Sequence, residues 1–129
     1  MTGLLIYYLR NTRLNRASYI PDRKDVIWLD FEPSVANEIG KYRPALVLTS
    51  KNYNKTGFLM CCPVSTSIRG GELEVEVTDL ESPSVVVTNI VQTFKWTARK
   101  PKFITRVNKK TYHMVMQRLI PFMTGKQYL

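Results

Sequence analysis

Between residues 37 and 44 the chain reads NEIGKYRP, which places an amide, a carboxylate, an amine and a guanidinium on one short polar segment. Arg43 carries the most chemical meaning. Its planar fork matches a phosphate, and it stays charged throughout the physiological range. Glu38 is suited either to take a proton or to orient Arg43. A second set follows at Ser65-Thr66-Ser67, whose hydroxyls can donate to phosphate oxygens. Such a set suits a phosphodiester. The 2′-OH of RNA attacks its own phosphate when a base takes its proton, an acid protonates the leaving oxygen, and cations hold the developing charge. The ordinary reading of an Arg–Glu pair on a loop is nevertheless a surface ion pair, so these residues alone leave cutting and mere binding both open.

Other chemistries have less support. The single histidine, His113, makes a two-histidine nuclease a poor fit. Asp30 and Glu32 share one strand face and form a weak pair for metal-assisted cutting. The plainer expectation is a strand-ending turn whose acids bond backbone amides. Cys61 and Cys62 are adjacent, so on a strand they point to opposite faces. They lack the spacing of a zinc site, and reduced, buried thiols in a cytoplasmic protein are expected, with no cofactor and no metal. The apolar run at residues 4–9 is far shorter than the ~20 residues of a membrane helix and has no basic leader. No membrane association is expected.

The charge is one-sided. The 129 residues carry a net charge of +9, with a pI of about 9.8. No carboxylate follows Glu81, whereas Lys95, Arg99, Lys100, Lys102, Arg106, Lys109, Lys110, Arg118 and Lys126 do. The N-terminal stretch holds Arg10, Arg13 and Arg16 and no acid. This distribution favours a basic face and an anionic partner, nucleic acid foremost.

The elements that must position these residues read as β. Residues 1–18 form a basic extension, and residues 19–129 form one domain, the 44% hydrophobic composition being in the globular range. A strand at 26–31 is apolar on both faces and therefore central. Pro33 ends it, a loop covers 33–43, and a buried strand follows at 45–49. Residues 52–57 are turn-rich, and 58–64 is a third strand. Residues 73–77 alternate, with Glu72, Glu74 and Glu76 on a solvated face. Residues 84–94 form a fifth strand, and the basic connection 96–106 has room for one more. From Asn108 the spacing becomes helical through Tyr112, Val115, Met116, Leu119 and Ile120, until Pro121 ends or kinks it. The expected fold is mainly β, a curled antiparallel barrel with a C-terminal helix.

With those readings in place, the chain resembles the MazF/PemK (Kid-like) toxins over residues 19–129. The carriers are Tyr19-x-Pro21-Asp22, Asp25-Val26-Ile27-Trp28-Leu29-Asp30-Phe31-x-Pro33, Glu38 with Arg43-Pro44-Ala45-Leu46-Val47-Leu48, Tyr53-Asn54-Lys55-Thr56-Gly57, Cys62-Pro63-Val64 followed by hydroxyls, Arg69-Gly70, Glu74-Val75 and Trp96-x-x-Arg99. The resemblance implies an SH3-like barrel working as a homodimer. It implies metal-independent, ribosome-independent cleavage of single-stranded RNA by 2′-OH attack, leaving a 2′,3′-cyclic phosphate. It also implies neutralisation by a cognate acidic antitoxin of MazE/PemI type. On this resemblance Arg43 falls on the catalytic arginine and Ser65 on the catalytic hydroxyl, with Thr66 as its neighbour in register. Glu38 falls on the acidic member of the loop motif. Asn37, Lys41, Arg69 and Arg99 border the RNA. The chain departs from the family at Ala36-Asn37-Glu38-Ile39, where Gly-(Ser/His)-Glu-Gln is usual. It departs again at Asn89-Ile90, where Kid-like members carry an aspartate assigned as base. Two other readings remain beside the ribonuclease: a gyrase poison of CcdB type on the same fold, and a catalytically silent nucleic-acid-binding barrel.

Overall fold

A strand that is apolar on both faces has to sit between two layers, and the strand at Asp25–Asp30 does. The computed structural model describes residues 19–126. Their elements are β1 (Asp25–Asp30), β2 (Tyr42–Val47), α1 (Lys51–Asn54), β3 (Phe58–Ser65), β4 (Glu74–Val77), β5 (Ser84–Val87), β6 (Gln92–Lys95), a 3-10 turn (Trp96–Ala98), β7 (Lys102–Arg106) and α2 (Lys109–Thr124). The expected extension at 1–18, with its apolar run at 4–9, lies outside the described residues.

All the strand pairs are antiparallel, in the order β4-β5-β3-β2-β1-β7, with β6 also on β3. β3 is the hub. Its first half pairs with β6, from Phe58↔Lys95 to Cys61↔Gln92, and its end pairs with β5 at Val64↔Val86 and Ser65↔Val85. β2 takes its other side. Changing partners along one strand curls the sheet into a half-barrel. It also explains why residues 84–94 form two strands rather than the single one expected. The chain must leave one end of β3 and rejoin the other, and it turns at residues 88–91 to do so.

Side-chain alternation along β1, β2 and β3 feeds two apolar layers. Val26, Leu46, Cys62 and Val64 pack with Val75, Val86, and Val115 and Leu119 of α2. Ile27, Leu29, Ala45, Val47, Leu59 and Cys61 pack on the other side with Phe31, Phe94 and Trp96. A fully buried aliphatic side chain contributes about 1.5–3 kcal/mol, against about 0–1 for an exposed ion pair, so apolar packing holds this fold. The adjacent cysteines are free and buried, one in each layer. Burial pushes the Cys62 thiol up to about 12 and raises Cys61 as well.

Two prolines lie within strands, and the topology shows why they are tolerated. Pro44 pairs with Trp28 of β1, but the β2–β3 register begins only at Ala45↔Pro63. Its missing N–H therefore faces no ladder on that side. Pro63 falls in the gap between the β6 and β5 registers. β2 consequently starts at Tyr42, earlier than the expected residue 45, and Arg43 stands on a strand rather than in the loop.

At the C-terminal end the Asn108 side chain accepts from the Thr111 amide (2.8 Å) and caps α2. Pro121 was expected to end or kink this helix. It does not end it: the helix continues past Pro121 to Thr124 and closes on Gly125, whose φ of 73° is the left-handed value glycine favours. The turn expected at 52–57 begins as the one-turn α1, capped by Ser50. Buried Asp25 fastens the start of the domain to β7. It accepts from Tyr19 Oη (2.8 Å), the Asp22 amide (2.9 Å) and Arg106 Nη1 (2.9 Å). Burial, and the bond to Asp25, push the Tyr19 phenol well above its ordinary range.

Candidate functional site

The segment from β1 to β2 is built around Glu32. Its Oε2 accepts from the Lys41 amide (2.7 Å) and its Oε1 from the Ser34 amide (3.1 Å) and hydroxyl (3.2 Å). The Lys41 amide, followed by the Ser34 hydroxyl, holds the Glu32 carboxyl below its ordinary value. Asp30 Oδ1 accepts from the Glu32 amide (3.0 Å). Both acids thus serve backbone amides, as the plainer expectation had it. Among the described residues no cluster of three or more His, Cys, Asp or Glu could hold a metal ion. The Phe31 amide donates to the Lys41 carbonyl (2.9 Å) and closes the loop at its base. Gly40 is buried here, and a Cβ on it would stand 2.5 Å from both Glu32 Oε2 and Ser34 Oγ. Only glycine fits without moving the carboxylate that shapes the loop.

This scaffold presents Arg43. Arg43 Nε donates to the Gly40 carbonyl (2.6 Å), which fixes the plane of the guanidinium. Among the described residues its terminal nitrogens meet no carboxylate. Glu38, which could have oriented Arg43, turns back on its own loop: Oε1 accepts from the Val35 amide (2.8 Å). The expected Arg–Glu pair is replaced by an Arg–carbonyl bond, leaving one edge of the fork open to an anion.

Arg43 lines a cleft of about 720 Å³ together with Asn37, Ile39, Ser65, Ser67, Arg69, residues 71–74, Val87, Asn89 and Ile90. Ser65 is half-buried at the end of β3, and its Oγ accepts from the Ser67 amide (3.0 Å). Glu74, expected on a solvated face, is half-buried. It accepts from the Arg69 amide (3.1 Å to Oε1, 3.2 Å to Oε2) and the Gly70 amide (2.8 Å). This carboxylate ties the 66–73 loop to β4 and shapes one wall of the cleft.

Of the residues singled out in the sequence, Arg43, Ser65, Ser67, Asn37 and Arg69 meet in this cleft. Thr66, just past the end of β3, is exposed and not among the lining residues, whereas Ser65 and Ser67 are. Glu38 and Lys41 stay on the outside of the loop. Arg99 lies elsewhere: Nη1 donates to the Asp30 (2.9 Å) and Glu32 (2.7 Å) carbonyls, and its guanidinium sits 4.0 Å from the Phe94 ring centroid. It clamps the end of β1. The sequence reading did not single out Glu72 or Val87 as site residues. A loop leaving one strand and a turn between two others supply them, and no local signal joins those segments.

The geometry has close relatives. Residues 22–123 match the family described as PemK-like, MazF-like toxin of type II toxin–antitoxin system. The endoribonuclease toxin MazF of Escherichia coli (strain K12) is 39% identical over 82 residues, 63% of this chain and 74% of that protein. The crystal structure of MazF from Deinococcus radiodurans superposes with a TM-score of 0.78 at 30% identity, covering 84% of this chain and 100% of that one. A MazE–MazF structure from the same organism gives 0.72 at 27% identity, covering 83% and 98%. The curled sheet, its C-terminal helix and the match over most of the length agree: this chain belongs to the PemK-like, MazF-like toxins of type II toxin–antitoxin systems.

Proposed function

We propose that the cleft at Arg43 and Ser65 is where this MazF-type toxin endoribonuclease cuts single-stranded RNA, without a metal ion, through attack of a 2′-OH on the adjacent phosphate. One observation carries the reading: Arg43, held through Nε by the Gly40 carbonyl, lines a cleft with Ser65 and has no carboxylate partner among the described residues. In this role the guanidinium holds the non-bridging phosphate oxygens as negative charge grows on them. The Ser65 hydroxyl donates to the same phosphate. Arg69 and Asn37 line the path of the flanking nucleotides. Glu38 contributes by holding the loop that carries Asn37 and Gly40. The products are a 2′,3′-cyclic phosphate and a 5′-OH, and loss of mRNA arrests translation and growth.

The same basic cleft suits an acidic, extended antitoxin tail that competes with RNA, since both partners are anionic. The related MazF seen in a MazE–MazF structure supports this part of the reading. The toxin acts as a homodimer in the cytoplasm, and no helix among the described residues is long and apolar enough to cross a membrane. The test is cleavage of a mixed-sequence single-stranded RNA in excess EDTA. Site-specific cuts ending in a cyclic phosphate are expected, and Arg43→Ala lowers their rate by about 10²–10³-fold. Folded protein that leaves varied RNA intact would sink this reading and turn attention to the gyrase-poison and silent-binder alternatives.

A further inference from the structure

The cleft poses a question that the proposed reaction must answer: which group takes the 2′-OH proton? Arg43 and Arg69 stay protonated. Ser65 and Ser67 are too weakly basic, and among the described residues neither histidine nor lysine lines the cleft. Asn89 lines it with an amide, which does not accept a proton. Among the described residues that line it, Glu72 and Glu74 carry carboxylates. Both oxygens of Glu74 are engaged by the Arg69 and Gly70 amides, so protonating Glu74 would release the loop that forms the wall. Glu72 remains. Its side chain is exposed and can therefore pass a proton on to water.

From this arrangement we infer that Glu72 is the general base of this cleft. The inference rests on the ribonuclease reading above. The backbone around Glu72 is unusually well held for an exposed loop. Its carbonyl accepts from Arg118 Nε of α2 (3.1 Å), and the Leu73 carbonyl accepts from the Thr88 amide (3.1 Å) and hydroxyl (2.5 Å). The Glu74 amide donates to the Gly71 carbonyl (3.1 Å). The helix, the β5–β6 turn and the start of β4 thus hold the main chain on both sides of Glu72, so the residue is anchored at the cleft while its carboxylate stays free to reach a substrate proton. Arg118 also bonds the Met114 carbonyl (3.1 Å) and keeps its charge beside the Glu72 backbone, while Arg43 and Arg69 line the cleft together with Glu72. In the reaction the Glu72 carboxylate removes the 2′-OH proton, and the 2′ oxygen forms a bond to phosphorus. The phosphorus–5′-oxygen bond breaks, and the leaving oxygen takes a proton from water. Glu72 then returns its proton to solvent.

The experiment compares Glu72→Gln, Glu72→Asp and Glu76→Gln with the parent toxin on one RNA, measuring kcat, KM and the pH–rate profile. Glu76 is exposed on β4 and outside the cleft, so its variant controls for loss of a negative charge near RNA. General-base removal predicts that Glu72→Gln cuts at least about 100-fold slower, with KM unchanged or lower. The acid limb of the profile should disappear with it, while Glu72→Asp keeps a shifted limb. Glu72→Gln that cuts within about threefold of the parent with the same profile, or that changes KM alone, overturns the inference while leaving the ribonuclease intact. A parent toxin that cuts nothing overturns the ribonuclease reading, and this inference with it.

Discussion

Arg69 and Arg99 carry the same guanidinium in opposite settings, and the difference can be measured. Arg99 is bonded to two carbonyls and stacked on Phe94, so its removal opens the end of β1 and uncovers a core ring. Arg99→Ala should lower unfolding free energy in urea by about 2 kcal/mol. The Arg69 side chain lines the cleft and is exposed. Arg69→Ala should leave stability within about 0.5 kcal/mol. It should weaken RNA binding and flatten the log–log salt dependence by about 0.7, the contribution of one phosphate contact to single strands. If Arg99→Ala keeps full stability and loses RNA affinity instead, Arg99 belongs to the binding surface after all.

At the scale of the element, the loop between β1 and β2 acts as a strained spring that aims Arg43. Ala36 and Lys41 hold φ values of 51° and 69°, a left-handed backbone that costs a non-glycine residue roughly 1–2 kcal/mol. Glu32 offsets that cost with its bonds to Ser34 and Lys41. A methyl at Gly40 would collide with that carboxylate. Gly40→Ala should therefore slow cleavage by about 10–100-fold, the scale of a 1 Å misplacement, with the melting temperature little changed. A normal rate in that variant would show that the loop does not aim the arginine. The loop is also acid-sensitive. The Glu32 carboxyl is held below its ordinary value, so its stabilisation is complete above the ordinary glutamate range and is lost as pH falls through the lower, folded-state value. In an acid titration by NMR the Lys41 amide resonance should shift with Glu32, below the pH at which a free glutamate titrates. A resonance that stays constant would show that this bond does not hold the loop.

For the whole molecule, charge governs partners and packing governs persistence. Arg43 and Arg69 in one cleft set a floor on salt dependence. RNA affinity should fall with salt with a log–log slope of about −1.4 or steeper, and a flat dependence would argue against phosphate contacts. The cysteines report on packing. One thiol lies in each buried layer, and burial raises both above the ordinary cysteine value. A thiol reagent at neutral pH should label Cys61 and Cys62 only as fast as the protein unfolds, in parallel with loss of the β signal. Rapid labelling of native protein would mean that one of the two layers opens locally.

What could be read from the sequence was whatever a single segment encodes. Two-faced apolarity identified β1, and alternation identified β4. The Asn108 cap and the helical spacing identified α2, and the run from Asn37 to Arg43 named two of the residues that line the cleft. Chemistry-bearing side chains were recognisable because a guanidinium or a hydroxyl has the same reactivity wherever it stands. Three things required the folded chain. β3 pairs with both β5 and β6, and only that long-range choice splits residues 84–94 and brings Asn89 and Ile90 to the cleft. Glu38 and Arg43 are close in sequence but do not pair, because the carbonyl of Gly40 and the amide of Val35 are nearer partners. Arg99 and Arg69 look alike in sequence, yet a carbonyl pair and an aromatic ring claim one of them for the scaffold. Local pattern follows from the period of the backbone. Which side chains share a cleft follows from strand partners far apart in the chain, and only the tertiary structure decides those.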